Sequence, residues 1–507
     1  MNKTSIFCSV SLLSTVVAPC LGQKMPKQRP NIIYILADDL GYGDVSANYP
    51  QGKITTPNID RLASEGMRFT DAHASAAVST PSRYGILTGS YSWRSKLPVG
   101  AISGLGRSLL DSSKYTVASL LKEKGYATAV IGKWHLGLNW QLKDGRELSV
   151  DQLGARYKTG NFVIDLPSDI VDFSKPPQNG PLKFGFDYSY ILPASLDMEP
   201  YCYLRNDTLT APLTGYTAGN DLNTGFTGAF WRAGRMAEGF DFNDVLPNFT
   251  RQAVQYIQNS AGKKQPFFLY FAMPAPHTPW LPAQKYAGKS GAGIYGDYVV
   301  MTDDMVGQLL EAVKKAGIDD NTIIILASDN GPYWRPNMIA KYDHRAAGIY
   351  RGMKADAWDG GHRVPFIVKW NNHIQAGSVS NALTSLTNLM ATVADITGFD
   401  SDKLTCVDSY SILPVLLGKS NDVPNQKAIV EISSRGLFAI KSGEWKLILG
   451  KGSGGFSTTP AEDAMMIEDG QLYNMKDDPS ETNNLYNTRK GIVQNLSILL
   501  KDIKNKK

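Results

Sequence analysis

An α/β fold is predicted by two features of the chain. Residues 31–37, 126–131, 266–272 and 322–327 are continuous apolar runs, as in parallel strands covered on both faces; a strand with one wet face would alternate. Segments of helical pattern lie between them, as the crossovers of a parallel sheet require. The 507 residues suffice for one large domain and a smaller one, and a composition 43% hydrophobic and 20% charged is that of an ordinary globular protein. Net charge is only +5, from 52 basic and 47 acidic residues, and no basic cluster marks a nucleic-acid surface.

In chain order, residues 1–22 have the form of a secretory signal. Lys3 supplies the positive start, Ile6 to Ala18 the apolar stretch, and Cys20-Leu-Gly22 a small-residue cleavage site. Ala18-Pro-Cys20 also permits a lipoprotein reading, which the proline before the cysteine fits poorly. No later run reaches the roughly eighteen apolar residues of a membrane span. The expected product is exported, periplasmic and without stable membrane insertion. Cys8 falls in the signal; Cys202 and Cys406 suit buried single thiols or, in an oxidising compartment, a pair.

The first strand delivers Asp38-Asp39 at its C-terminal end, with Gly41 and Gly43 in the loop beyond. Open α/β sheets build their sites at that end. Adjacent carboxylates repel unless a cation neutralises them, which suits a hard divalent metal; an N-cap plus a solvated acid is the plainer alternative. Thr56-Pro-Asn-Ile-Asp60, with Leu62, Ala63 and Met67, predicts a capped amphipathic helix. In residues 73–89, Pro81 and the small residues before it predict a turn into a helix, with Ser79 at its N-terminus and Arg83 one turn on. Unpaired N–H groups there favour an anion, so the pair suits a phosphate or sulfate substrate, against the reading of Ser79 as an ordinary N-cap.

A helix at 115–125 precedes the second strand, which leads into Gly132-Lys133-Trp134-His135. Lys133 and His135, alternate residues of an extended segment, would project to one side. Residues 139–185 are polar, with Gly and Pro breaks, and are expected to form loops over the site. The third strand ends in Pro274-Ala-Pro-His277-Thr-Pro279, where prolines fix His277 in an extended loop. In the helix expected at 298–316, Asp303 and Asp304 have the look of solvated charges. The fourth strand delivers Asp329 and Asn330, oxygen ligands with no histidine beside them, which favours calcium or magnesium over zinc. Lys354 and Asp359-Gly-Gly-His362-Arg363 precede a strand at 366–370; the glycine pair would let backbone approach a ligand, with Lys354 bringing charge. Beyond Asn421, short strands at 428–432, 437–441, 445–449 and 471–473 and a terminal helix predict a small antiparallel-sheet subdomain. The expected division is 23–420 for the main domain and 421–507 for the second.

Ser79-Thr-Pro-Ser-Arg83 followed by Gly85-Ile-Leu-Thr-Gly89 resembles the signature of the type I sulfatases, whose first residue, Cys or Ser, is oxidised to formylglycine. Residues 31–43, 132–137, 276–279, 328–331 and 351–365 resemble further blocks of that family in the same order. The resemblance implies an alkaline-phosphatase-like large mixed sheet flanked by helices, and one calcium ion on Asp38, Asp39, Asp329 and Asn330, with modified Ser79 completing the shell. It implies that Arg83 holds the formylglycine diol, that His135 serves the second proton transfer, that Lys133 and Lys354 bind sulfate oxygens, and that His277 is the leaving-group acid. Asp329 and the calcium would activate the attacking hydroxyl, and a serine-type sulfatase-maturating enzyme would be a partner.

Residues 185–200 and 358–363 look closest to bacterial carbohydrate sulfatases of the galactose- and N-acetylgalactosamine-6-sulfate group. They imply a sulfated carbohydrate substrate, with His362 a candidate sugar contact. Where that family has Glu before the glycine pair, this chain has Asp359, which leaves a Glu-specific role open. Other ring positions stay open, as do a phosphoester or phosphonate hydrolase of the same superfamily and, if Ser79 is unmodified, a non-catalytic glycan binder.

Overall fold

The apolar runs form the middle of a ten-stranded mixed sheet in the computed structural model, which describes residues 29–146 and 166–506. The expected signal at 1–22 and part of the 139–185 loops lie outside the described residues. In chain order the strands are β1 (Asn31–Asp38), β2 (Met67–Phe69), β3 (Ala127–Lys133), β4 (Tyr188–Leu192), β5 (Leu204–Arg205), β6 (Thr208–Leu209), β7 (Phe267–Pro276), β8 (Thr322–Ser328), β9 (Phe366–Trp370) and β10 (Ser378–Ser380). Across the sheet they stand β10-β2-β9-β8-β1-β7-β3-β4-β5-β6. β8, β1, β7, β3 and β4 are mutually parallel, and β9 and β5 flank them antiparallel. Register then aligns the sites: Ala37 pairs with Ser328, Asp38 with Pro276, and Ala272 with Gly132. The residues that follow or end these strands therefore emerge along one edge.

Both faces of the central strands are covered, which is why they lack alternation. Ile32, Tyr34 and Leu36 of β1 pack with α2 (Ser79–Thr88), α3 (Val117–Glu123) and α6 (Leu389–Thr397). Ile33 and Ile35 face α1 (Pro57–Glu65), α4 (Val245–Ala261) and α5 (Gly293–Lys315). Asp303 is not a solvated charge. It is buried on α5, and its carboxylate accepts from the N–H of Ile59 (2.8 Å) and from the N–H and side chain of Asn58 (3.2 and 2.8 Å). It caps α1 because Thr56 does not; the Thr56 hydroxyl donates to Asp60 instead. Cys202 and Cys406 are free thiols.

The small C-terminal sheet forms as expected, from β11 (Ile429–Ile432), β12 (Phe438–Ser442), β13 (Trp445–Ile448) and β14 (Gln471–Asn474), antiparallel in that order. α7 (Lys490–Asn505) covers one face with Leu496, Leu500 and Ile503. Ala439, Ile448 and Tyr473 on the other face meet Ala357 and Trp358 of the main body. A buried ionic network ties the two together. Lys446 reaches Asp359 (3.1 Å), Glu431 and Glu481 (both 3.3 Å), and Arg363 reaches Asp359 (2.6 Å). Each ring nitrogen of His73 lies 2.7 Å from a carboxylate oxygen, of Asp71 and of Glu431.

Removing the shared cation with Lys446→Met leaves three buried carboxylates facing one another. The expected loss is about 3–5 kcal/mol, read by denaturant unfolding; a loss under about 1 kcal/mol would show that the network contributes little. Glu481 tests its titration. Burial, and then the charge of Asp359 against the opposing pull of Lys446, pushes its carboxyl up to about 7, above the unfolded value of about 4.3. Its contribution is thus present below the unfolded value and is lost as pH rises through the folded one. Wild-type melting temperature should fall relative to Glu481→Gln over that window, and parallel curves would exclude Glu481 as the titrating group.

Candidate functional site

β1 ends at Asp38, and Asp39 then takes a left-handed conformation (φ 64°). With Asp329 arriving from the neighbouring β8, three buried carboxylates place oxygens within 4.8 Å of one another. Their repulsion is offset by three cations. Lys133, at the end of β3, lies 2.6 Å from Asp38. Arg83 of α2 donates to Asp329 (2.9 Å) and stands 3.6 Å from Asp38. Lys354 lies 2.9 Å from Asp39. Burial works against the charge on Asp38, but Lys133, His277, Arg83 and Lys354 together hold its carboxyl well below the usual range. Burial and the neighbouring Asp38 push Asp329 up despite Arg83. Burial lowers Lys133, whereas Asp39 and Asp38 outweigh burial at Lys354 and raise it.

Ser79 is the first residue of α2, whose ten residues are all buried. Its hydroxyl donates to Asp38 Oδ1 (3.1 Å), accepts from Lys133 Nζ (3.2 Å) and stands 3.5 Å from Asn330 Oδ1. The side chains fit a hard divalent cation: three carboxylates and the Asn330 amide make an all-oxygen set. His277 Nε2 approaches only Asp39 among them, at 3.8 Å. A second buried group, His73, Asp359 and Glu431, does not fit, because Arg363 and Lys446 already neutralise its acids.

Arg83 makes no hydrogen bond to the Ser79 hydroxyl; it locks Asp329 and the Lys133 carbonyl (3.0 Å) in place. Lys133 and His135 do reach one site, but not by strand alternation, since β3 ends at Lys133 and His135 is left-handed (φ 57°). His135 Nε2 donates to the Ile102 carbonyl (2.6 Å), which leaves the lone pair on Nδ1, a buried atom with no partner among the described residues. Burial, and next the charge of Lys133, lowers its pKa well below the ordinary histidine value and keeps it neutral. His277 donates through Nδ1 to the Thr278 carbonyl (2.6 Å).

Ser79, His135, His277 and Lys354 line one pocket, with Trp280, Tyr333, Phe226 and Phe456 as aromatic walls and Asp197 and Arg232 beside them. His362 is not there. It is fully buried, with Nδ1 3.0 Å from the Ala74 carbonyl, against the ionic network of the C-terminal sheet. The glycine pair does not serve a ligand either. A Cβ on Gly360 would lie 2.5 Å from the Arg351 carbonyl, and one on Gly331 would lie 1.9 Å from that of Gly360, so these glycines pack backbone on backbone. The sequence reading missed Ser195, whose hydroxyl lies 3.3 Å from both Lys133 Nζ and His277 Nδ1. It also missed Arg232 and the aromatic walls. Asp197 lay within a stretch already singled out, whereas Arg232 sits in a loop with no periodic or motif signal.

If the oxygen cluster holds a divalent cation, calcium added to chelator-treated protein should raise its melting temperature. At about 100 times the dissociation constant the gain should be about 2.7 kcal/mol. Asp39→Ala should abolish this response, and an identical gain in that variant would place the ion elsewhere.

The family model described as Sulfatase matches residues 30–399. The chain is 32% identical to N-acetylgalactosamine-6-O-sulfatase of Bacteroides thetaiotaomicron, over 94% of this chain and 94% of that protein. Arylsulfatase A of Homo sapiens is 30% identical, over 90% of this chain and 83% of its own length. A solved Bacteroides thetaiotaomicron structure, from work on the metabolism of multiple glycosaminoglycans, matches with a TM-score of 0.79 at 31% identity, covering 95% of this chain and all of that one.

Proposed function

The chain belongs to the sulfatase family, enzymes that hydrolyse sulfate esters, and we propose that its substrate is a sulfated carbohydrate of host glycans, glycosaminoglycan or mucin, carrying 6-O-sulfate on galactose or N-acetylgalactosamine. The observation that carries the reaction is the Ser79 hydroxyl held between Asp38 and Lys133 in a pocket shared with His135, His277 and Lys354. The sugar assignment is supported by the N-acetylgalactosamine-6-O-sulfatase similar along 94% of the chain and by the aromatic walls, which suit the faces of a sugar ring.

Formylglycine at position 79, made by a serine-type maturating enzyme, would supply as its hydrate one hydroxyl to attack sulfur and a second whose deprotonation releases sulfate. A calcium ion on Asp38, Asp39, Asp329 and Asn330 would supply positive charge to the sulfate and to the attacking hydroxyl. The side chains do the rest. Lys133 and Lys354 turn their ammonium groups to the sulfate oxygens, where charge accumulates in the transition state. Arg83 fixes Asp329 as the nearby proton acceptor. His135 offers its Nδ1 lone pair to the second hydroxyl, and His277 protonates the leaving oxygen. Lys3 and the apolar stretch Ile6 to Ala18 support export to the periplasm. A two-zinc phosphoesterase reading has less support, because among the described residues the group of Asp38, Asp39 and Asp329 includes none of the histidine ligands such a centre uses.

The test is sulfate release from 6-, 4- and 3-sulfated galactose and N-acetylgalactosamine and from 6-sulfated N-acetylglucosamine, with the Ser79 peptide weighed for loss of two hydrogens. Release confined to the 6-sulfated galacto sugars is expected. Release from another position would correct the regiochemistry, and none from the oxidised form would reject a simple sugar sulfate. Ser79→Ala should lower turnover about 10⁴-fold or more. His135→Ala should lower it about 10²- to 10⁴-fold; full turnover would remove His135 from the scheme.

A further inference from the structure

We infer that Asp197 and Arg232 are the specificity-determining pair of the pocket, an acceptor and a donor that together bind the C4 hydroxyl of the sulfated ring and select galacto over gluco sugars. The inference rests on the 6-O-sulfate reading above. Asp197 follows β4 at the same sheet edge as the catalytic groups and is 2% exposed. Its Oδ2 is ion-paired with Arg232, while Oδ1 has no hydrogen-bond partner among the described residues. A buried carboxylate oxygen left unpaired is costly, and a substrate hydroxyl would satisfy it.

Arg232 comes from the hairpin arm between residues 215 and 236. Its backbone N–H and its Nη1 each donate to the Asp197 carbonyl at 3.2 Å. The rings of Phe226 and Phe230 hold the guanidinium at 5.3 and 5.2 Å, so both donor and acceptor are fixed in place. Burial opposes the charge on Asp197, but His277, Arg232 and Lys133 hold its carboxyl below the usual range, so it acts only as an acceptor. A sugar hydroxyl completes this pair by donating to Oδ1 and accepting from the guanidinium. His277, where the leaving oxygen would lie, shares the pocket wall with Asp197. For a 6-O-sulfate the nearest other ring hydroxyl is at C4, cis to the C6 arm in galacto sugars and trans in gluco sugars.

The test compares kcat/KM of the matured enzyme on 6-sulfated galactose, its 4-deoxy analogue, 6-sulfated glucose and an aryl sulfate that has no ring hydroxyl. Wild type should lose at least about 10²-fold on the deoxy and gluco compounds. Asp197→Asn and Arg232→Lys should each narrow that gap to within about tenfold, because they lower kcat/KM on 6-sulfated galactose far more than on the gluco, deoxy and aryl compounds. Equal loss on sugar and aryl sulfates in both variants would make the pair a structural clamp and overturn the inference. The deoxy comparison needs wild type alone, so indifference to the C4 hydroxyl overturns it even if the variants misfold. Aryl sulfate turnover with no release from any 6-sulfated sugar would defeat the substrate reading and this inference together; release from 6-sulfated galactose without C4 preference would defeat the inference alone.

Discussion

Three buried carboxylates within a few ångströms of one another are the constraint that the rest of the molecule answers. Asp38, Asp39 and Asp329 are brought together because β1 and β8 end side by side, Ala37 paired with Ser328, and Asp39 turns left-handed beyond β1. Their compensation comes from elsewhere: Arg83 from α2, Lys133 from the end of β3, Lys354 from a loop far along the chain. Anions fixed by strands and cations brought by other elements make the charge balance a property of the whole fold. The same arrangement supports the role proposed for the lysines. Lys133 and Lys354, whose ammonium groups rest on Asp38 and Asp39, would be positioned to meet an anionic substrate.

Much of this was legible in the sequence because it depends on local pattern. Continuous apolar runs marked the covered strands, the motif at each strand end marked the edge where chemistry gathers, and short strands beyond Asn421 marked the small C-terminal sheet; the alkaline-phosphatase-like architecture was implied by the family resemblance those motifs carry. What was not legible depended on tertiary partners. Asp303 looked solvated because nothing in its own helix shows that α1 lacks a side-chain cap. His362 and the Gly360–Gly361 pair looked like ligand contacts, yet the groups they approach are backbone atoms and a salt-bridge network contributed by distant segments. Arg232 carries no signal until the fold sets it against Asp197.

Asp359 belongs to the seam with the C-terminal sheet and not to the pocket. Its carboxylate does not face the pocket; it is divided between Arg363 and Lys446, and its backbone N–H is held by Glu481 at 2.7 Å. Its contacts thus concern how the main body meets the C-terminal sheet. This network balances acids against cations as the site does, but without an all-oxygen opening for a divalent ion. Two buried ionic clusters in one protein therefore have opposite uses, one closed and cohesive, the other open to an anion.

The pocket wall carries a consequence of its own. Asp38 ends β1, Asp329 follows β8 and Ser79 opens α2, whereas Phe226 and Arg232 come from a hairpin arm and Phe456 from a turn beyond β13. That turn is anchored to the main body by Asp356, which accepts the Phe456 N–H at 2.8 Å. On the reading proposed above, the reaction and the choice of ester would draw on partly separate stretches of chain. A change in the arm or the turn would then alter the choice of sugar while leaving the reaction as it was.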